Sequence, residues 1–151
     1  MNGSTDRALA SVAADLLAGG ALVHPLSAGF TLLAATALVA EAFARPEPLA
    51  QAPLAFAVLA GLGEVWLAVR VRLDARLFER LARGESPDGL AIGPFDAALA
   101  ALGWMPAERA GRPMADRVRG ATRLLAAQGA CAGLQVLLLL AHAALLAGSA
   151  R

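Results

Sequence analysis

Long apolar runs separated by short polar segments dominate this chain. Residues 16–40 and 124–150 contain no Asp, Glu, Lys or Arg, and residues 48–69 contain only Glu64. Each run reaches the ~20 residues that a helix needs to cross a hydrocarbon core of about 30 Å. The pattern predicts an all-α integral membrane protein that forms one membrane domain over residues 1–151. Its three transmembrane helices are expected at about residues 14–42, 48–69 and 122–147.

Proline and glycine mark a kink and a turn in the first half of the chain. The first span contains Gly19, Gly20 and Pro25, and an interior proline removes one helical hydrogen bond. We therefore expect a kink near Leu22. Residues 44–53 contain three prolines, which indicates a short turn. Because so short a connection joins antiparallel neighbours, the first two spans are predicted to form a hairpin.

The second span is predicted to continue beyond the membrane. At about 100° per residue, one stripe of the helix carries arginines and the opposite face carries apolar side chains such as Val71 and Phe78. The arginines are Arg72, Arg76, Arg80 and Arg83. No proline or glycine interrupts this stretch before Gly84, a residue type that commonly ends helices. The sequence thus predicts a long cytoplasmic extension of the second helix.

A short fourth helix is predicted between the second and third spans. Residues 93–103 have Pro94 at the first helical position, Asp96 in the first turn and Gly103 at the end, as is typical of a helix. The segment is short for a span, so we interpret it as an amphipathic interfacial helix. A re-entrant or fourth crossing of residues 90–106 is the alternative.

Composition supports a membrane location. Hydrophobic residues make up 58% of the 151 residues and charged residues 17%, against roughly 25% charged residues in soluble domains. Every basic residue other than histidine is arginine, which indicates a GC-rich, bacterial genome and hence the inner membrane. The net charge of +1 gives no field that would favour nucleic acid. The single Cys131 excludes an internal disulfide.

The arginines also predict an orientation. Of the thirteen, ten lie between the second and third spans and one, Arg45, lies in the hairpin turn. Under the positive-inside rule, residues 70–121 form a cytoplasmic region. The arginine stripe is interpreted as a surface for anionic lipid or a partner protein.

Glu64 and His24 are the candidates for a polar site inside the membrane. An ionisable side chain in a span is a functional hypothesis by default, and these two approach a similar depth on adjacent spans. They could form a proton or cation site, as in small coupled transporters. The structural alternatives are a Glu64 carboxylate that reaches the interface and a His24 that satisfies backbone freed by Pro25.

His142 raises the possibility of a haem bound by two histidines. Relative to the starts of their spans, His142 lies ten residues deeper than His24, or about 15 Å along a helix. Two axial ligands of one haem need nearly the same depth, so only a haem shared between subunits stays open. We predict no cofactor and no metal site.

Gly129 and Gly133 form a G-x-x-x-G pattern in the last span. Because glycine has no side chain, two helices can approach closely at such positions in lipid. The pattern predicts either association with another membrane protein or a second copy, or packing of this span against the first two.

No catalytic motif accompanies these features: the chain has no H-E-x-x-H, G-x-S-x-G, P-loop or C-x-x-C. Our leading hypothesis is a non-catalytic small inner-membrane subunit that stabilises or regulates a larger complex. The first alternative is a homo-oligomeric proton- or ion-coupled transporter that uses Glu64 and His24. A redox-cofactor anchor and a lipid-modifying enzyme are weaker alternatives.

Overall fold

A computed structural model of the chain describes residues 3–44, 48–84, 93–103 and 111–149. Within these ranges most residues form α-helices, and none forms a strand. The helices are α1 (Gly3–Ala18), α2 (Gly20–Ala44), α3 (Pro48–Arg83), α4 (Gly93–Ala101) and α5 (Met114–Ser149). The all-helical prediction is confirmed for the described part of the chain.

Three helical stretches are long and apolar enough to cross a membrane. They are Gly3–Ala44, Leu49–Arg83 and Met114–Gly148. Large apolar side chains cover their outer surface; Leu22, Leu32 and Phe43, for example, are 74%, 68% and 90% exposed. Such a surface would be unfavourable in water but suits hydrocarbon. These helices are those of a multi-pass membrane protein.

The first apolar stretch is interrupted at Gly19, which separates α1 from α2. Across this turn the Leu22 amide donates to the Gly19 carbonyl at 3.1 Å. The sequence predicts a kink near Leu22, whereas the interruption lies at the first of two consecutive glycines. Glycine in a helix costs about 0.5–1 kcal/mol relative to alanine, which favours a break at that point.

The two long helices, α3 and α5, are each 36 residues and continuous. α3 ends before Gly84, which has φ +69° and donates its amide to Leu81 at 3.2 Å. In the last turns of α3 the four arginines of the predicted stripe are exposed, while Val71 and Phe78 are buried. α4 has nine residues and is about 14 Å long, too short to cross a membrane.

The sequence predicts one membrane domain. In the structure the chain divides into two compact units. The first unit comprises residues 1–18 and 72–123, and the second comprises residues 19–71 and 124–151. The buried apolar side chains of the first are Ala10, Ala13, Leu17, Phe78, Leu81, Met114 and Ala121. In the second, Leu54 and Ala57 of α3 pack with Ala34 of α2.

Candidate polar site within the membrane helices

Polar side chains recur every seven residues on the inner face of α5. Gln128, Gln135 and His142 are at most 7% exposed, and a seven-residue interval is close to two helical turns. On α2, Gly20 and Ser27 are buried at the same interval. Gln128 contacts Gly20 and Gln135 contacts Ser27. The contacts advance together along both helices, so α2 and α5 run parallel.

A first polar cluster surrounds Glu64 of α3, which is fully buried. Its Oε2 lies 3.0 Å from His24 Nδ1, and its Oε1 accepts a hydrogen bond from Gln128 Nε2 at 2.8 Å. The same Gln128 nitrogen donates to the Gly20 carbonyl at 3.1 Å. The structure therefore brings Glu64 and His24 together, and both carboxylate oxygens of Glu64 contact side chains of the second unit.

His24 is the exposed member of this cluster. Its side chain is 43% exposed, whereas the Glu64 side chain is 0% exposed. Its Nδ1 is engaged with the carboxylate rather than with the backbone near Pro25. The imidazole thus lies between a buried carboxylate and the outer surface of the helices.

Gln135 is the centre of a second cluster that joins α5 to α2 and α3. Ser27 Oγ donates to Gln135 Oε1. On the other side, Gln135 Nε2 lies 2.8 Å from Thr31 Oγ1 and 3.3 Å from the Ala57 carbonyl. Thr31 in turn donates to the Ser27 carbonyl at 2.8 Å. One amide side chain thereby bonds to both neighbouring helices.

Two glycines allow the helices to approach at these clusters. A Cβ at Gly61 of α3 would lie 2.0 Å from Thr31 Oγ1 and 2.6 Å from Gln135 Nε2. A Cβ at Gly20 would lie 2.9 Å from Gln128 Oε1. These distances are shorter than van der Waals contact, so both positions depend on the absence of a side chain.

His142 forms a third cluster. Its Nε2 lies 2.8 Å from Glu41 Oε1, and its Nδ1 lies 3.0 Å from the Ala50 carbonyl oxygen. The His142 side chain is 8% exposed and that of Glu41 is 23% exposed. His24 and His142 therefore contact different glutamates, and the structure does not bring them together as a ligand pair.

Gly129 and Gly133 do not pack against the other helices. Both are exposed, and a Cβ at either would meet no atom of the described residues within 4 Å. The alternative in which this pattern seats α5 against the first two spans is therefore wrong for the described part of the chain. The face is open at the outer surface of α5.

The four arginines of the stripe are exposed at the surface of α3. Arg83 forms an exposed ion pair with Glu79 at 2.7 Å, and Arg70 lies 4.8 Å from the centre of the Trp66 ring. An exposed ion pair such as that of Arg83 with Glu79 contributes about 0–1 kcal/mol to stability.

A buried ion pair in the first unit escaped the sequence analysis. Arg117 donates to the two carboxylate oxygens of Asp96 at 2.8 and 2.6 Å, and the Gly111 amide donates to Asp96 at 2.8 Å. Burial by itself would raise the pKa of Asp96, but the hydrogen bonds from Arg117 and Gly111 and the charge of Arg117 outweigh it. The pKa of Asp96 is therefore lowered from its ordinary value of 3.8.

Sequence reasoning also missed the glutamines of α5. Gln128, Gln135 and His142 are polar residues at a fixed interval of seven in a run without charge, and this period could have identified an inward face. The Asp96–Arg117 pair gave no such signal, because the two residues are 21 positions apart.

The described ranges contain no group of three or more His, Cys, Asp or Glu side chains arranged to hold a metal ion. Comparison with protein-family models, curated proteins and solved structures finds no match to this chain. The polar clusters join α2, α3 and α5 and hold one carboxylate, Glu64, away from water.

Proposed function

We propose that this protein is a non-catalytic small subunit of the bacterial inner membrane that packs against, and stabilises or regulates, a larger membrane complex. The open face of α5 carries this proposal. Gly129 and Gly133 leave a surface to which no described residue of the chain itself comes close. In lipid, helices associate through close packing at such small-residue surfaces.

The internal polar clusters support the same proposal. Glu64, Gln128 and Gln135 are bonded to other groups of the second unit. Hydrogen bonds of this kind stabilise the contacts between helices, although the buried Gln128 Oε1 has no hydrogen-bond partner among the described residues. The apolar outer surface is then available for lipid and for another membrane protein.

We further propose the membrane topology. The first two spans form a hairpin, since contacts run from His24 with Glu64 to Thr31 with Gly61, in opposite directions along α2 and α3. The end of α3, with its exposed arginines, extends into the cytoplasm, and α4 lies at the interface.

The partner can be identified by purification from native membranes in mild detergent, followed by native mass spectrometry. We expect a larger partner at fixed stoichiometry, and Gly133→Leu should remove it because the new side chain fills the open face. Gly29→Leu is the matched control, since a Cβ at Gly29 also meets no described atom within 4 Å but lies on α2. A clean homo-oligomer, or equal partner loss in both variants, would refute the subunit proposal.

A second candidate function is an ion-coupled transporter, favoured by the fully buried Glu64 beside the exposed His24. Glu64→Gln should keep the fold, because a glutamine can accept from Gln128 while neutral His24 changes its tautomer. In reconstituted vesicles, loss of proton flux with intact assembly would support transport. If Glu64→Gln assembles normally and the wild type shows no proton flux, the result would support the subunit proposal.

A further inference from the structure

We propose that His142 and Glu41 form a proton-binding site whose contacts join α5 to α2 and to the start of α3. The pair holds one proton between Nε2 and the carboxylate, and the contact opens when that proton leaves. This proposal stands on the contacts of the two ring nitrogens and does not depend on the proposed function.

The contact of Nδ1 fixes one ring proton. Nδ1 lies 3.0 Å from the Ala50 carbonyl oxygen, and a carbonyl oxygen can only accept a hydrogen bond. Nδ1 must therefore carry a hydrogen for this contact to be favourable. A neutral His142 imidazole with its hydrogen on Nδ1 has a bare lone pair on Nε2.

The contact of Nε2 then requires a second proton. Nε2 lies 2.8 Å from Glu41 Oε1, and a lone pair facing an ionised carboxylate at that distance is repulsive. One proton on either atom removes the repulsion, giving an imidazolium with a carboxylate or an imidazole with a carboxylic acid. When this proton leaves, His142 can keep the contact with Ala50 or the contact with Glu41, but not both.

The other histidine provides a contrast. His24 has one such contact, between Nδ1 and Glu64 Oε2 at 3.0 Å. A neutral imidazole with its hydrogen on Nδ1 satisfies this contact while Glu64 is ionised. Of the two histidine–glutamate pairs, the geometry therefore requires an additional proton only at His142.

Among the described residues, Glu41 is the only charged side chain that contacts the His142 ring. Glu41 faces the ring from α2, and the Ala50 carbonyl faces it from α3. Neither residues 48–63 of α3 nor residues 124–149 of α5 contain an Asp, Glu, Lys or Arg. The Glu41 side chain is 23% exposed, which gives the proton a route to the surroundings.

The first test is the pH dependence of unfolding of the full chain in detergent micelles between about pH 5 and pH 9. A folded state that holds one extra proton loses stability as the pH rises, by up to about tenfold in the unfolding equilibrium constant per pH unit. In Glu41→Gln the amide donates to Nε2 of a neutral ring, so both contacts survive without the proton. This variant should be more stable than the wild type at high pH and show a flatter profile.

Arg45→Gln is the control for a nearby charge, because Arg45 lies four positions beyond Glu41. It should keep the wild-type profile. Equal profiles for the wild type and Glu41→Gln, or a profile flattened by Arg45→Gln alone, would overturn the proposal.

The second test observes the proton directly in the wild type. The chain contains two histidines, so nitrogen-15 labelling gives two pairs of imidazole nitrogen signals, and His24→Gln assigns them. At about pH 5 we expect two N–H groups on His142, or one N–H together with the infrared band of a protonated Glu41 carboxyl that disappears in Glu41→Gln. A ring with one N–H beside an ionised Glu41 at that pH would refute the site.

Discussion

Substitution of Gly61 by alanine tests whether close approach of α3 to α2 and α5 stabilises the second unit. The added Cβ would lie 2.0 Å from Thr31 Oγ1, 2.6 Å from Gln135 Nε2 and 3.0 Å from Thr31 Cβ. Rotation of the threonine hydroxyl would relieve the shortest contact. It would also break the hydrogen bonds that Thr31 makes with Gln135 and with the Ser27 carbonyl, both 2.8 Å long. The threonine Cβ would still be close to the new methyl group.

These contributions set the expected magnitude. Hydrogen bonds between membrane helices contribute on average about 0.6 kcal/mol each, so loss of the bond between Thr31 and Gln135 costs about that much, whereas the bond from Thr31 to the Ser27 carbonyl lies within α2. Overpacking adds about 1–3 kcal/mol. The higher helix propensity of alanine offsets at most about 1 kcal/mol. We therefore expect Gly61→Ala to lower the free energy of unfolding by about 1–3 kcal/mol.

The assay is reversible unfolding in mixed detergent micelles, followed by far-ultraviolet circular dichroism. Gly133→Ala is the matched control, because the same substitution there meets no described atom within 4 Å. It should leave the free energy of unfolding unchanged or raise it by up to about 1 kcal/mol. Equal stability of the two variants would refute the packing argument.

A double-mutant cycle with Thr31→Ala separates the steric effect from a general effect of the substitution. Without the hydroxyl, the 2.0 Å contact is absent, and the added methyl has only the Cβ of residue 31 and Gln135 to displace. The cost of Gly61→Ala should therefore fall by about half or more in the Thr31→Ala background. An undiminished cost would show that the destabilisation arises elsewhere.

Three further predictions concern the other polar contacts. Asp96→Asn should lower the free energy of unfolding by about 3 kcal/mol, because it leaves the largely buried Arg117 unpaired; Asp116→Asn, in an exposed pair, should change it by less than about 1 kcal/mol. Because the pKa of Asp96 is lowered on folding, its contribution to stability is complete above the ordinary value of 3.8. Acid titration should show this contribution lost as the pH falls below that value, and Asp96→Asn should lack that loss. Gln135→Leu should cost about 1–2 kcal/mol through its lost hydrogen bonds, whereas Leu137→Ala, at a position that is 65% exposed, should cost clearly less in the same assay.

Local sequence patterns predict much of the secondary structure. Apolar runs long enough to span a membrane identify the three candidate spans, because length and hydropathy alone set that requirement. Gly84 and Gly103 follow α3 and α4 with φ of +69°, as the preference of glycine for this conformation predicts. The exposed arginines and the buried Val71 and Phe78 of α3 follow from helical periodicity.

The partners of the polar side chains were decided only by the tertiary structure. Periodicity shows which face of a helix a residue occupies, but not which helix lies opposite or at what register. The sequence therefore predicts Asp96 only as a residue of the first turn of a helix, although its carboxylate binds Arg117 in the structure. Likewise, the sequence does not show whether Gly129 and Gly133 face the other helices or the outer surface. In the structure they lie on the outer surface, and the close contacts between helices are at Gly61 and Gly20. The sequence by itself determined the three long apolar stretches, because local backbone and solvent preferences suffice for that, whereas the separate helix α1 was not predicted. The arrangement of α2, α3 and α5 around buried glutamines required contacts between distant residues.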